Sequence, residues 1–190
     1  MELKTERLRM RRWKEADRIP FFELCSDPIV MKFFPSLLSR AECDRLVQSF
    51  ELHFETNGYG LWALEEKNTG EFLGFTGLKN VPFEAEFTPA VEVAWRLAAS
   101  YWSRGYATEA AFASLAFGFS DLNLSEIVSF TSVLNLNSVA VMKRIGMRES
   151  GFFAHPNLEA NHVLSRHVLY RISVEEFRRT RVAGSSYSRF

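Results

Sequence analysis

The sequence predicts a mixed α/β (α+β) fold in which an antiparallel meander of strands leads into a strand–helix–strand unit. Three observations support it. Two short strand-like segments, 61–65 and 72–78, flank Lys67-Asn68-Thr69-Gly70, whose Asn and Gly supply a tight turn. Val91 to Leu97 alternates with period two, a helical pattern follows, and Glu126 to Thr131 returns to strand character. That stretch reads as a βαβ unit with parallel strands and a right-handed crossover. A chain of 190 residues, 47% hydrophobic and 24% charged, has the size and balance of one soluble globular domain.

The elements follow in order. Leu3, Arg7, Leu8, Met10 and Trp13 mix apolar and basic residues as a strand would. A short helix is expected from about Asp17 to Cys25, with Pro20 in its first turn, where a missing N–H does no harm. Ser39 followed by Glu42 is a capping-box signature, and Cys43, Leu46, Val47, Phe50 and Phe54 then recur at helical spacing. Beyond the hairpin, Val91, Val93, Trp95 and Leu97 alternate with Glu92, Ala94 and Arg96, so this strand has two different faces. A buried helix starts from Thr108, with Phe112, Leu115, Ala116 and Phe119 on one side until Gly118, Asp121 and Asn123 break the pattern. Residues 138–145 read as a short helix closed by Gly146, and 163–172 as a last long strand. The domain is expected over 1–183, with Gly184 to Phe190 a frayed tail.

Composition removes several classes of function. The 23 basic and 23 acidic residues cancel, so no whole-molecule field draws the protein to nucleic acid or to an anionic membrane. Cys25 and Cys43 make no disulfide framework and have no metal-ligand spacing, which suits a reducing compartment. The N-terminal MELKTERLRMRRWKE has no apolar core of a signal peptide, and no run of apolar residues is long enough to span a bilayer. A cytoplasmic protein is expected, acting as a monomer or homodimer, with no nucleic-acid or membrane partner.

The most informative stretch is Tyr101-Trp102-Ser103-Arg104-Gly105-Tyr106-Ala107-Thr108-Glu109-Ala110, between a strand end and a helix start. Gly105, with small residues at Ser103 and Ala107, lets successive N–H groups face one way, and the helix adds its positive end, so a phosphate could dock. A plain strand-to-helix turn would show the same local pattern.

Taken together, VEVAWRLAASYWSRGYATEAA at 91–111 closely resembles the acetyl-coenzyme A binding motif of the GCN5-related N-acetyltransferases (GNAT), in particular the RimJ/RimL-like branch. Asn135-Leu136-Asn137-Ser138-Val139-Ala140-Val141-Met142-Lys143-Arg144-Ile145-Gly146-Met147 is similar to that branch's second block, and TERLRMRRW and Ser26-Asp27-Pro28 also match it. The resemblance covers about 2–175. It implies the GNAT acyl-CoA N-acyltransferase fold, in which the strands at 91–97 and 126–131 splay apart around the pantetheine arm. The arm would pair with backbone near Trp95 and Leu97, and the pyrophosphate would meet the amides of Ser103, Arg104, Gly105, Tyr106, Ala107 and Thr108. The family's usual Gln or Arg at the start of this loop is replaced by Trp102, and Arg104 is expected to compensate with a charge on a phosphate.

The implied chemistry is attack of a neutral amine on a thioester, which a base assists. Glu92, on the strand lining the cleft and on the face opposite Val91, Val93 and Trp95, is the candidate base; an ordinary exposed strand glutamate is the competing reading. A backbone N–H near Trp95 to Leu97 would hold the oxyanion. Met142 stands where many relatives carry a tyrosine acid. The resemblance gives that part to Ser138, with Asn135 holding the pantetheine or thioester region, while helix capping would explain both residues as well.

His155, His162 and His167, spaced seven and five apart without a cysteine, are weak as a zinc set, so no metal is expected. Phe33, Phe34, Phe83 and Phe87 fall in loops expected to flank the acceptor, which would favour an apolar or aromatic amine.

The resulting expectation is a transferase that moves the acetyl group of acetyl-coenzyme A directly to a primary amine, a protein N-terminus or a small molecule, in a ternary complex. The alternative is a non-catalytic acetyl-coenzyme A or coenzyme A binding or sensing domain of the same fold, which would keep the loop but need neither Glu92 nor Ser138. A nucleotide-binding protein of another fold lacks its glycine-rich signatures.

Overall fold

In a computed structural model, which describes residues 2–183, one eight-stranded sheet runs through the molecule in the order β1-β2-β3-β4-β5-β6-β8-β7. The strands are β1 Leu3–Lys4, β2 Leu8–Arg11, β3 Leu61–Glu66, β4 Phe72–Asn80, β5 Val91–Leu97, β6 Glu126–Ser132, β7 Arg148–Ala154 and β8 Arg166–Ser173. The helices are α1 Arg18–Ser26, α2 Arg40–Asn57, α3 Tyr106–Ser120, α4 Leu136–Arg144 and α5 Val174–Ala183. Neighbouring strands are antiparallel except β5 and β6, which are joined by the α3 crossover and run parallel. The mixed α/β fold and the meander expected from the sequence are therefore present.

The period-two pattern places two cores on the two faces of the sheet. On one, Val93 and Leu97 of β5 pack with Ala111 and Leu115 of α3, Met142 of α4 and Phe177 of α5. On the other, Phe21, Leu24 and Cys25 of α1 and Cys43 and Val47 of α2 cover Leu61 and Phe75. The capping box forms as its residues suggest: Ser39 N donates to Glu42 Oε2 at 2.7 Å, and Glu42 N donates to Ser39 Oγ at 3.4 Å. Gly58 ends α2 in the left-handed region at φ 77°.

Several boundaries differ from the expectation. α3 begins at Tyr106, two residues early, because Gly105 at φ 83° sets its first turn. β8 begins at Arg166 rather than 163, since Ser165 is held back by bonds from its N–H to His162 O and from its hydroxyl to Ala160 O. β7 has no simple alternation, because its register shifts between Glu149 and Gly151. α5 carries Glu175, Glu176, Arg178 and Arg179 beside Phe177, too polar to announce a packed helix. The tail expected at 184–190 lies outside the described residues. Among the described residues no helix is long and apolar enough to cross a membrane.

Candidate active site

β5 and β6 are paired at one position, Glu92 with Val128, and separate beyond it. Toward β4 the ladder of β5 is complete, from Asn80 opposite Val91 to Gly74 opposite Leu97, and Ala98 N then donates to Leu73 O at 2.9 Å. In an antiparallel ladder, residues that exchange bonds alternate with residues that turn away. With Ala98 bonded to β4, Arg96, Ala94 and Glu92 are bonded there too, and Trp95 and Leu97 turn their peptide groups toward the gap. Apart from Leu97 O, which the Trp102 indole N–H meets, the gap thus offers an extended main chain whose donors and acceptors an amide-containing arm can meet as a strand would.

The loop leaving β5 is shaped by its backbone. Ser103 sits at φ 60° and Gly105 at φ 83°, flanking Arg104. Left-handed residues around a single intervening one turn successive N–H groups to one side and form an anion nest. Among the described residues no acceptor meets the N–H of Ser103, Arg104, Gly105, Tyr106, Ala107 or Thr108, and the first helical bond is Glu109 N to Gly105 O. The loop and the start of α3 together present an anion site to solvent. Trp102, which replaces the expected Gln or Arg, donates its indole N–H to Leu97 O at 2.8 Å and ties the loop back to the strand end. Arg104 is exposed, with its guanidinium 5.7 Å from the Tyr101 ring.

A second brace comes from the N-terminus and was not read from the sequence. Glu109 is buried and accepts from Thr5 Oγ1 at 2.5 Å, Arg7 N at 2.9 Å and Arg7 Nε at 2.7 Å, with Arg7 Nη2 at 2.6 Å. The same guanidinium donates from Nη1 to Arg104 O at 2.9 Å and lies 4.4 Å from the Tyr106 ring centre. Arg7 therefore reaches from the turn before β2 to hold the loop in place. A lone acid on an otherwise apolar helix face was the available signal, because a buried carboxylate demands a cation.

Glu92 is 6% exposed, so the reading of it as an ordinary surface glutamate fails. Burial pushes its carboxyl above the usual range, offset in part by Lys79, whose Nζ lies 3.2 Å from Oε2. Ser138 and Asn135 are brought together at the start of α4, where Asn135 Oδ1 accepts from Ser138 N at 3.2 Å and Asn135 Nδ2 donates to Thr131 Oγ1 at 3.1 Å. Asn135 is thus a helix cap. Among the described residues Ser138 Oγ meets no partner, and Met142 is fully buried in the core.

Residues paired directly across strands share a face, so Lys79, Glu92, Val128, Phe130, Phe153 and His167 all look to one side of the sheet. Phe83 and Phe87, from the chain between β4 and β5, join Phe130 and Phe153 there. Ring centres are 5.6 Å apart for Phe83 and Phe130 and 5.0 Å for Phe87 and Phe153. His155 and His167 complete the group at 4.8 Å from each other. Burial, His167 and Lys79 lower the His155 pKa to about 4, and burial lowers that of His167. His162 stands apart, its Nδ1 accepting from Leu164 N at 3.1 Å. Phe34 lies against the Arg96 guanidinium at 4.0 Å, while Phe33 meets Lys32 instead. Among the described residues no group of three or more His, Cys, Asp or Glu is placed to hold a metal ion.

Comparison with known proteins bears on the family and the fold. Residues 7–148 match the acetyltransferase (GNAT) domain family. The chain is 33% identical to the uncharacterized protein YkkB of Bacillus subtilis (strain 168) over 150 residues, 78% of this chain and 86% of that one. It is 30% identical to the uncharacterized N-acetyltransferase YnaD of the same organism over 153 residues, 80% of this chain and 86% of that one. The crystal structure of a GNAT-family acetyltransferase from Bacillus anthracis superposes with a TM-score of 0.77 at 26% identity, covering 93% of this chain and 100% of that one.

Proposed function

The chain belongs to the GNAT acetyltransferase family, and from that premise we propose that it transfers the acetyl group of acetyl-coenzyme A directly to a primary amine, a protein N-terminus or a small molecule, in a ternary complex. The observation that carries the reading is the single pairing of β5 with β6 beside a loop whose amides at 103–108 have no partner among the described residues. A peptide-like arm fits the first feature and a pyrophosphate the second.

The residues divide the work as follows. Main chain at Trp95 and Leu97 pairs with the arm, and one of these N–H groups stabilises the oxyanion as the amine adds. Ser103 to Thr108 hold the pyrophosphate through their amides, with Arg104 adding charge. Glu92, directly or through water, removes the proton from the incoming ammonium; a carboxyl raised by burial is a better base near neutral pH than an exposed one. Ser138, with its free hydroxyl, protonates the leaving thiolate, and Asn135 fixes the turn that presents it. No cysteine lies in either motif, which favours direct transfer over an acetyl-enzyme. The quoted motifs support the RimJ/RimL-like branch, and two free buried cysteines suit a reducing, cytoplasmic setting.

Titration calorimetry with acetyl-coenzyme A, coenzyme A and ATP, followed by an amine screen, tests this. Micromolar binding of acetyl-coenzyme A, about 8 kcal/mol, with little for ATP, and steady acetylation of some amine are expected. Well-folded protein that binds neither coenzyme A form would refute the cleft. Binding without acetylation of any amine would leave a sensing domain.

A further inference from the structure

Arg96 is a charged group on the cleft-facing strand that the proposed reaction leaves without a task. It lies on the face of β5 that carries Glu92 and pairs across the sheet with Phe75. Its guanidinium carbon stands 4.0 Å over the Phe34 ring and 5.5 Å from that of Phe75, so the plane is held between aromatic groups. Nη1 donates to Cys25 Sγ at 3.2 Å, a weak acceptor, and the buried Nε has no partner among the described residues. Among the described residues no carboxylate pairs with it. Burial holds the Cys25 thiol up, and the Cys43 thiol is pushed up to about 12, so neither supplies a thiolate as counter-ion. Burial lowers the Arg96 pKa, but from so high a starting value that the guanidinium stays charged near neutral pH, and its fork of donors is shaped for a carboxylate.

The position matters as much as the chemistry. β5 and β6 diverge from Glu92 toward their C-terminal ends, and Arg96 lies on the diverging side, about 13 Å along the strand from Glu92. The thioester would sit beside Trp95, between the two. An acceptor whose amine points to the thioester therefore brings its body between Arg96 on one wall and Phe130, Phe153 and His167 on the other.

We propose that Arg96 binds a carboxylate carried by the acceptor amine, so that the preferred substrates are amino acid-like molecules with an aromatic or apolar body; this rests on the acetyltransferase reading above. Arg96 sets specificity by supplying the counter-charge that a simple amine cannot use, while the aromatic rings hold the body.

The test compares matched acceptors: phenylalanine with phenethylamine, and tryptophan with tryptamine. The wild-type protein should favour the carboxylate-bearing member of each pair by about tenfold to a hundredfold in kcat/KM. Arg96→Gln should bring that ratio toward one, mainly through KM, and Arg96→Lys should keep part of it. Acetyl-coenzyme A binding by calorimetry reports whether each variant keeps its cleft. Should the variants fail to fold, inhibition of the wild-type protein decides: 3-phenylpropionate should compete with the acceptor, and 3-phenylpropanol should not. Acetylation of both members alike, or equal loss of both in Arg96→Gln, or equal inhibition by acid and alcohol, overturns this inference alone. Failure to bind acetyl-coenzyme A or to acetylate any amine overturns the parent reading and this one with it.

Discussion

Removing the guanidinium of Arg7 should loosen the phosphate loop and weaken acetyl-coenzyme A binding, although Arg7 stands 97 residues before Arg104 in the chain. In the folded protein this side chain makes contacts of 2.7 and 2.6 Å to buried Glu109 and one of 2.9 Å to Arg104 O. Charge-assisted bonds of this kind contribute about 1.5–3 kcal/mol each when buried, and 39% exposure of the Arg7 side chain calls for a discount. Arg7→Ala leaves the Glu109 carboxylate with Thr5 Oγ1 and the residue 7 N–H as its remaining partners. A loss of about 2–3 kcal/mol follows, equivalent to a Tm about 5–10 °C lower for a domain of this size. The loop must then be ordered at the moment of binding, which should raise the Kd for acetyl-coenzyme A about tenfold. Arg7→Lys should keep some of the stability but little of the affinity, because a single ammonium cannot hold both oxygens of Glu109 and the Arg104 carbonyl. Thermal melts with and without saturating ligand, read beside calorimetry, measure both effects. An Arg7→Ala protein with a Tm within about 1 °C of wild type and an unchanged Kd would refute the argument that this brace holds the site.

Other substitutions separate the remaining roles. Glu92→Gln should lower kcat by about 10²–10³-fold with acetyl-coenzyme A affinity kept within about threefold, and in the wild-type protein kcat/KM should fall with decreasing pH at values above the usual glutamate range; retained kcat would assign the proton to another group. Ser138→Ala should lower kcat by about tenfold, measured with a thiol-detecting assay, and no change would leave thiolate departure unassisted. Arg104→Ala should weaken acetyl-coenzyme A binding, and a Kd within about twofold of wild type would reduce Arg104 to a solvated loop residue. His155, with a folded pKa of about 4 below the ordinary 6.5, binds its proton more readily when unfolded, so stability should rise with pH between these values. His155→Gln should flatten denaturation midpoints over that window by up to about 2 kcal/mol, and an unaltered profile would count against the buried neutral imidazole.

Periodicity and caps made most of the fold legible. Val93 and Leu97 against Glu92 and Ala94, Ser39 with Glu42, and Asn68 with Gly70 each have a local physical cause that a linear reading can see. β7 was hidden by its register shift at Gly151, and α5 by a surface too polar to show its one buried phenylalanine. In the site, the loop 103–108 announced itself through Gly105. The braces did not, because Arg7 with Glu109 and Arg96 with Phe34 join residues distant in the chain. Glu92 shows the limit from the other side: its place on the strand was readable, while its burial beside Lys79 depended on how the strands meet.

The proposed cofactor cleft is made largely of peptide groups, at Trp95 and Leu97 and from Ser103 to Thr108, and that has a consequence for how the protein can diverge. A peptide N–H is present whatever the side chain, apart from proline, so point substitutions along these stretches change the periphery of the site and leave its donors in place. What the chain has to preserve there is conformation: a left-handed Gly105 and a strand whose outer side, among the described residues, pairs with β6 at Glu92 alone. The proposed acceptor wall, by contrast, is written in side chains. On the proposed reading, a lineage descending from this protein can therefore exchange Phe34, Arg96 or Phe153 and acquire a new clientele of amines while drawing acetyl groups from the same source.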